Sequence, residues 1–435
     1  MFSKILIANR GEIAVRIIRA CKEMGIASVA VYSEADRECL HVALADEAVC
    51  IGPADAKESY LRADRILSAA IVTGAQAIHP GYGFLSENAE FAAACRKNGI
   101  AFIGPDAACM TRLSDKTKTK QAFAQTALRP IPGTDALSSA AEAVAEAERI
   151  GYPVMLKARS GGGGRGIRVI GSCGELEQAY PLAVAESEAA FGDGAVYLEK
   201  YVHPARHIEM QILADESGHV VCLGERDCSV QRHHQKLVEE SPSPAVSPET
   251  REVLMQAVAD AVRTVGYTGV GTLEFLRDRD GNLWFMEMNL RLQVEHAVSE
   301  MLTQIDLVKW QIRTAAGVSL NFAQPDIPLR GAAMECRINA TAPGKLKLLH
   351  VPGGPFVRFD TYLVQGVSVS PYYDPLIGKL IVYAATREEA LRKMRAALCE
   401  LVIDGIPTNI AEQLQIISDP RFASGGYDLT MMEGR

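Results

Sequence analysis

Paired cysteines, long apolar runs and surplus positive charge are what this sequence lacks. Its ten cysteines include no CxxC pair, and a chain of 435 residues can bury a large core without covalent staples. They read as reduced, mostly buried thiols, which predicts a cytoplasmic setting. No apolar run nears the ~18 residues of a membrane helix; the longest weakly polar stretch, 66–78, is broken by Ser68, Thr73 and Gln76. The opening Met1-Phe2-Ser3-Lys4-Ile5-Leu6-Ile7 meets Asn9-Arg10-Gly11-Glu12 too early for a signal peptide. With 45 Lys and Arg against 53 Asp and Glu the net charge is −8. That argues against nucleic acid as a partner, while leaving room for a local basic cleft that takes small anions. Internal repeats, low-complexity segments and a GxSxG elbow are absent too.

What is present is alternation. At ~150 residues per domain the length predicts about three domains. Up to residue 110, segments 4–8, 28–32, 47–51, 77–79 and 100–103 read as strands, and 11–24, 60–73 and 86–97 as helices. The first helix carries Ile13, Ile17, Ile18 and Cys21 at helical spacing and ends at Gly25. Such alternation implies a doubly wound parallel sheet. Helices are expected at 114–127 and 138–150. A smaller α+β unit follows, with strands 154–158 and 167–170 around the glycine-rich turn 160–166, which is expected to be mobile, and a helix over 175–188. From about 202 onward strands dominate (209–214, 220–225, 271–276, 283–288, 332–338, 377–384), interleaved with helices 248–265, 305–316 and 387–402. The fold class is α/β and α+β, in three parts: 1–113, 114–202 and 203–435.

Three signals carry chemistry. Gly161, Gly163 and Gly166 formally satisfy GxGxxG, but Ile167-Arg168-Val169-Ile170 is strand-like where a dinucleotide fingerprint should open a helix. No Lys-Ser/Thr follows, so it is not a Walker loop. What remains is a hairpin whose bare amides can close over phosphate oxygens, with Lys157 before it and Arg165 within it, or else a plain flexible turn. Next, Glu274 and Glu287 sit between hydrophobics, where charge is costly unless paired or metal-bound. Segment 277–282 joins their strands as a hairpin, so both carboxylates can share one face. Oxygen ligands of that kind suit Mg²⁺ held with a nucleotide's phosphates; a structural ion pair is the competing reading. Third, Glu287, Asn289, Arg291, Gln293 and Glu295 fall at period two, so an extended backbone would point all five to one side. Met286, Met288, Leu290, Leu292 and Val294 fill the alternate positions, and Arg291 suits a flat oxyanion gripped through two nitrogens. His203, His207, His219, His233 and His234 crowd one window without zinc spacing. Gln231-Arg232-His233-His234-Gln235-Lys236 reads as a cationic wall of an anion site or as solvated surface. Together these residues describe an enzyme that holds Mg-nucleotide under a glycine hairpin and activates a small oxyanion.

Ile7-Ala8-Asn9-Arg10-Gly11-Glu12-Ile13-Ala14, His79-Pro80-Gly81-Tyr82-Gly83-Phe84-Leu85-Ser86-Glu87-Asn88, the glycine run, Glu225-Arg226-Asp227-Cys228-Ser229, and Glu287-Met288-Asn289 through Glu295-His296 resemble, in order, the motifs of biotin carboxylase. This is the ATP-grasp component of biotin-dependent carboxylases, and the resemblance runs from about residue 2 to 430. It implies an N-terminal doubly wound domain, a mobile lid and a C-terminal mixed α/β domain. It also implies two steps: ATP phosphorylates bicarbonate to carboxyphosphate, and the carboxyl group then passes to N1′ of carrier-bound biotin. Carried over by residue, Lys116 and Lys157 contact phosphates, with Gly163 and Gly164 closing above. Glu199, Lys200, Tyr201, Val202 and Leu276 line the adenine, while His207, Gln231 and His234 hold ribose and phosphates. Glu274, Glu287 and Asn289 bind Mg²⁺, or Mn²⁺ in its place. Lys236, Arg291, Gln293 and Val294 hold bicarbonate, and Glu295 is the general base. Arg337 stabilises the enolate of biotin, and Tyr82 borders its pocket.

The implied partners are a biotin carboxyl carrier protein, carboxyltransferase subunits and a second copy of the chain. No biotinylation-like Ala-Met-Lys-Met occurs and no carboxyltransferase region follows, so a separate carrier is expected. Acetyl-CoA carboxylase, in fatty-acid synthesis, is the commonest setting. Some positions depart from the family. Arg337-Ile338-Asn339-Ala340 runs through Thr341-Ala342 straight into Pro343-Gly344-Lys345, where a longer acidic and proline-rich stretch is usual. Arg159 stands for a small residue, Leu290 for Thr and Thr430 for His. The shortened stretch is expected to loosen the aim of Arg337, weakening carboxylation of free biotin beside near-normal ATP cleavage. Other readings are an ATP-grasp carboxylate–amine ligase, a subunit of a pyruvate or propionyl-CoA type carboxylase, or a non-catalytic paralogue.

Overall fold

The computed structural model describes residues 1–113, 116–123, 125–159 and 166–434, without the side chains of 116–118 and 191. Strands β1 (Lys4–Ile7), β2 (Ala27–Ser33), β3 (Glu47–Gly52), β4 (Ala77–His79) and β5 (Ala101–Phe102) form a sheet of order β3-β2-β1-β4-β5. Every neighbouring pair is parallel, as the β-α alternation implies. Helix α1 (Gly11–Glu23) follows β1. Its Ile13, Ile17 and Ile18 share one apolar cluster with Leu213, Val221, Val270 and Leu292 from later in the chain. The helix is thus wedged between two sheets, which is why even Glu12 and Arg16 are buried. After β1, the Asn9 amide donates to the carbonyls of Pro80 (2.7 Å) and Tyr82 (2.8 Å), fixing the loop that carries Tyr82.

The small unit is an antiparallel sheet of β6 (Val154–Ala158), β7 (Ile167–Ile170) and β8 (Val196–Lys200), in order β7-β6-β8. Helices Ala140–Ile150 and Cys173–Phe191 give it a core of its own around Leu156, Ile170, Leu176 and Leu198. The glycine turn with Gly163 and Gly164, and the mobility expected of it, lie outside the described residues.

The third unit is built on β9 (Arg206–Ala214), β10 (Val220–Arg232), β11 (Gln235–Ser241), β12 (Gly269–Arg277), β13 (Leu283–Asn289) and β14 (Ala332–Asn339). Past them come β15 (Gly344–Lys345), β16 (Leu348–His350), β17 (Val357–Thr361), β18 (Ser368–Val369), β19 (Leu376–Ala384) and β20 (Val402–Asp404). Eight of these form one antiparallel sheet, β13-β12-β9-β10-β11-β14-β19-β17, and β15 pairs with β18 and β16 with β20. The strand expected over 220–225 is only the first half of β10, and β11 was not expected at all. The reason is polar: Arg226, Asp227, Ser229, Glu239 and Glu240 interrupt any apolar run, yet all are buried. Ser229 bonds Asp227, and partners elsewhere in the chain satisfy the rest, Glu209 for Arg226, Arg337 for Glu239 and Arg387 for Glu240. Pattern reading cannot see a strand whose buried side is ionic. No described helix is long and apolar enough to cross a membrane.

Candidate active site

The antiparallel register of β12 and β13 sets Glu274 directly across from Glu287 and Thr272 across from Asn289. The two acids therefore share a face, as the hairpin reading expects. Lys236 reaches into them from β11. Its Nζ lies 2.7 Å from Glu209 Oε2, 2.6 Å from Glu295 Oε1 and 3.4 Å from Glu274 Oε1. Burial alone would lower its pKa, but Glu209, Glu274 and Glu295 outweigh that and hold it charged. Arg337 Nη2 sits 3.0 Å from the other oxygen of Glu295, and its Nε lies 2.6 Å from Glu239. Burial pushes the Glu295 carboxyl up, yet Lys236, Arg337 and Arg226 pull it well below the usual carboxylate range.

The polar row is corrected in one respect. β13 ends at Asn289, and residues 290–295 are not a strand; Glu295 stands at the residue just before helix α2 (His296–Thr303). An unbroken extended backbone does not place all five side chains. They are gathered by hydrogen bonds instead: Asn289 Nδ2 (2.8 Å) and Gln293 Nε2 (2.7 Å) donate to Glu274 Oε1, and Arg291 Nη2 donates to Asn289 Oδ1 (3.2 Å). Four residues that pattern reading did not single out complete the frame. The wholly buried Arg226 donates to Glu209 (2.6 Å), Gln211 (2.7 Å), Ser299 (2.8 Å) and Gln293 Oε1 (2.8 Å), so the Gln293 amide can face Glu274 only through nitrogen. Glu87 accepts from Arg291 Nε (3.1 Å) and Leu290 N (3.0 Å). Glu209, flanked by Ile208 and Met210, carries the same signal as Glu274 and could have been found by it, whereas Glu239 is shown by its ion pair with Arg337.

Among the residues expected to hold the nucleotide, the buried Glu199 carboxylate pairs with both Lys157 and Lys120. Burial raises its pKa, but the two ammonium groups win and bring it down to about 2. Lys120 was not anticipated. Lys200 turns away, its Nζ donating to the Gly151 carbonyl at 2.6 Å. Tyr201 stacks on His203, with centroids 5.0 Å apart, and half-buried Val202 follows. Leu276 pairs with His207 across β9 and β12. The Gln231 amide donates to His207 Nδ1 (2.7 Å), so Nε2 carries the ring hydrogen; it lies 3.0 Å from Glu274 Oε2. Of the segment read as a cationic wall or solvated surface, His233 and His234 form the exposed β10–β11 turn at positive φ, while Gln231 and Lys236 on the flanking strands reach the site; His219 lies apart at the β9–β10 turn. The Lys116 side chain lies outside the described residues. Glu274, Glu287 and the Asn289 amide are hard oxygen donors, Glu274 held ionised by Lys236 and His207 against burial, and this set fits Mg²⁺.

On the remaining side, the Tyr82 hydroxyl donates to Glu12. The expected loosening of Arg337 is not what the structure shows. Its carbonyl accepts from Asn409 Nδ2 (3.1 Å) and Gln413 Nε2 (2.8 Å), and Asn339 N donates to Asn409 Oδ1 (2.8 Å). The short connection closes by its own bonds, Ala340 N to the Pro375 carbonyl and Thr341 N to the Pro407 carbonyl, each 2.8 Å. Arg159 pairs with Asp193 (3.2 Å), Leu290 is core, and Thr430 Oγ1 donates to Asp428 (2.6 Å).

Residues 1–110 match the family model for the biotin carboxylase N-terminal domain, and 335–434 that for the biotin carboxylase C-terminal domain. Residues 115–323 match the ATP-binding domain of the carbamoyl-phosphate synthase L chain. The curated biotin carboxylase of Haemophilus influenzae is 50% identical over 442 residues, covering 100% of this chain and 98% of its own. Chloroplastic biotin carboxylase 2 of Populus trichocarpa is 50% identical, over 98% of this chain and 82% of its own. The biotin carboxylase domain dimer of Hydrogenobacter thermophilus 2-oxoglutarate carboxylase, solved with MgADP, ADP and bicarbonate, superimposes with a TM-score of 0.95. It is 46% identical over 99% of this chain and 97% of that one. Half-identity over the whole length, with the three family segments in order, means that the chain belongs to the biotin carboxylase family of ATP-grasp, ATP-dependent ligases.

Proposed function

We propose that this chain carboxylates biotin with ATP and bicarbonate through carboxyphosphate, the biotin being held on a separate carrier protein. The observation that carries the reading is the seat of Glu295: buried, gripped by Lys236 at 2.6 Å and Arg337 at 3.0 Å, and next in chain to Val294. Lys236, Arg291, Gln293 and Val294 would hold bicarbonate. Two cations make Glu295 a weak base at rest. Bicarbonate drawn against Lys236 and Arg291 shares their charge, which lifts the proton affinity of Glu295 as its own proton must leave. The freed oxygen attacks the γ-phosphorus of ATP, the bond to the bridging oxygen breaks, and ADP leaves as carboxyphosphate forms. Lys116, Lys157, Gly163, Gly164, His207, Gln231 and His234 would hold phosphates and ribose. Glu199, Tyr201, Val202 and Leu276 would border the base, with Lys200 contributing backbone only, since its ammonium is bonded elsewhere. Mg²⁺ on Glu274, Glu287 and Asn289, or Mn²⁺, would supply charge neutralisation for the phosphates. Arg337 would then oppose the negative charge developing on biotin beside Tyr82. In this division of work, 1–113 back the site, 114–202 cover the nucleotide and 203–435 carry the chemistry.

ADP release that requires bicarbonate and rises with biotin, together with carboxybiotin formation, tests this. An amine requirement without any response to bicarbonate would identify a carboxylate–amine ligase instead. We further propose a homodimer in the cytoplasm, feeding carboxyltransferase subunits of an acetyl-CoA carboxylase in fatty-acid synthesis; ten free cysteines support a reducing setting. A second reading, a 2-oxo acid as final acceptor, is favoured by the likeness to a 2-oxoglutarate carboxylase domain. Purifying the complex and offering acetyl-CoA, propionyl-CoA, pyruvate and 2-oxoglutarate decides between them.

A further inference from the structure

We infer that Lys379 and His296 are positioning residues that preorganise the backbone amide of Val294 for an incoming oxyanion. This rests on the bicarbonate reading above and deepens it. Val294 lies between two peptide groups, and each is fixed by a buried side chain outside the polar row. His296 Nδ1 is 2.7 Å from the Gln293 carbonyl oxygen. A carbonyl only accepts, so Nδ1 carries the hydrogen; burial pushes the ring pKa down to about 3, and the ring is neutral. The Gln293 carbonyl and the Val294 N–H belong to one planar trans peptide and point in opposite directions, so holding the first aims the second. On the next peptide, Lys379 Nζ donates to the Val294 carbonyl at 2.6 Å. With both flanks held, the Val294 N–H has no hydrogen-bond partner among the described residues.

Lys379 is an unusual choice for its place. It lies on β19 between Ile377, Leu380 and Ile381 and is wholly buried. Burial would lower its pKa, but Glu12, Glu335 and Asp360 outweigh that and keep the ammonium charged. Replacing a buried ion pair with apolar residues is often neutral or better for stability, so the fold alone does not demand one here. Its carboxylate partner Glu12, 3.3 Å away, also accepts from the Tyr82 hydroxyl. The same ammonium therefore ties the bicarbonate-binding backbone to the loop on the biotin side. Fixed donors aimed before the anion arrives lose nothing to reorganisation on binding.

The test uses the full-length protein and three variants. Glu12→Gln with Lys379→Met removes both members of the ion pair together, and Asp360 keeps Arg358 as its partner; His296→Phe removes the other support. Each is expected to raise the KM for bicarbonate at least about ten-fold, the scale of one charge-assisted hydrogen bond, and more than it lowers kcat. The KM for ATP should stay within about two-fold, since the nucleotide contacts are elsewhere. If the double variant does not fold, His296→Phe carries the same measurement. An unchanged bicarbonate KM in folded variants, even with a lower Tm, overturns the inference and leaves both residues as structural. Glu295→Gln is run beside them: if it keeps near wild-type bicarbonate-dependent turnover, the underlying reading fails rather than this one.

Discussion

A single ionised side chain at the centre of this site has several partners, and its chemistry follows from which partner is removed. Glu295 shares its two oxygens between Lys236 and Arg337. Glu295→Gln keeps the shape but cannot take bicarbonate's proton. It is expected to bind MgATP normally and to lose ~10²–10⁴-fold in bicarbonate-dependent turnover; turnover within a few-fold of wild type would remove Glu295 from the role. Elsewhere a lone titratable group sets a pH dependence. His41 is wholly buried, and burial pushes its pKa down from 6.5 to about 4. The unfolded chain takes up a proton there as pH falls below about 6.5, whereas the folded chain does so only near 4. Its contribution to stability is therefore complete above that window and is lost through it, by up to ~1.4 kcal/mol per pH unit. Relative to His41→Leu, the urea midpoint of the wild type should fall between pH 7 and 5 and hold steady between pH 8 and 7.

Among elements, β14 decides where Arg337 points. Its register sets Arg337 beside Lys379 on β19, and Asn409 and Gln413 clamp the Arg337 carbonyl from the far side. The longer connection usual in the family is not what holds this strand. Free-biotin carboxylation is accordingly expected to stay coupled to ATP cleavage in the wild type. Asn409→Ala should uncouple it: a guanidinium displaced by ~1 Å can lose on the order of 10²-fold in rate. ATP cleavage with bicarbonate should change by no more than a few-fold, because Lys236 hangs from β11, and Arg291 and Glu295 from the segment that follows β13. Carboxybiotin formed per ATP cleaved is the measurement, and equal ratios in both proteins would show that Asn409 does not aim Arg337.

At the scale of the whole molecule, the parallel sheet and the large antiparallel sheet are joined by buried ions as well as apolar contact. Arg16 of α1 reaches Glu300 (2.9 Å) and Asp306 (2.7 Å), and Glu300 is shared with Arg358 (2.7 Å). Arg10 lies 3.9 Å over the ring of Tyr373, whose hydroxyl meets Ser33 at 2.5 Å. The first sheet is thus tied to the sheet that carries the candidate site. Arg16→Met strands the buried Glu300 with one fewer cation, and a loss of ~3–5 kcal/mol is expected from the urea unfolding midpoint. A loss below about 1 kcal/mol would mean that the apolar cluster alone holds the two sheets together.

Local pattern was enough for whatever rests on neighbours in sequence. Ile5 to Ile7 and Ile13 to Ile18 state a β-α unit because apolar periodicity and a closing glycine are short-range signals. The Glu274–Glu287 hairpin was legible for the same reason: two apolar strands joined by a short polar turn have little choice of register. The long motifs were legible as a family resemblance. Tertiary structure alone decided the rest. β11 and the second half of β10 hide behind Arg226, Glu239 and Glu240, whose burial is tolerable only once partners from distant strands arrive. The polar row after Asn289 has a strand's alternation, but helix α2 begins at its end and the gathering is done by Glu274, Arg226 and Glu87. Which way the Gln293 amide faces and where the Lys379 ammonium points are set by contacts between residues up to hundreds of positions apart. A one-dimensional pattern carries no term for them, because such contacts exist only after the chain has closed on itself.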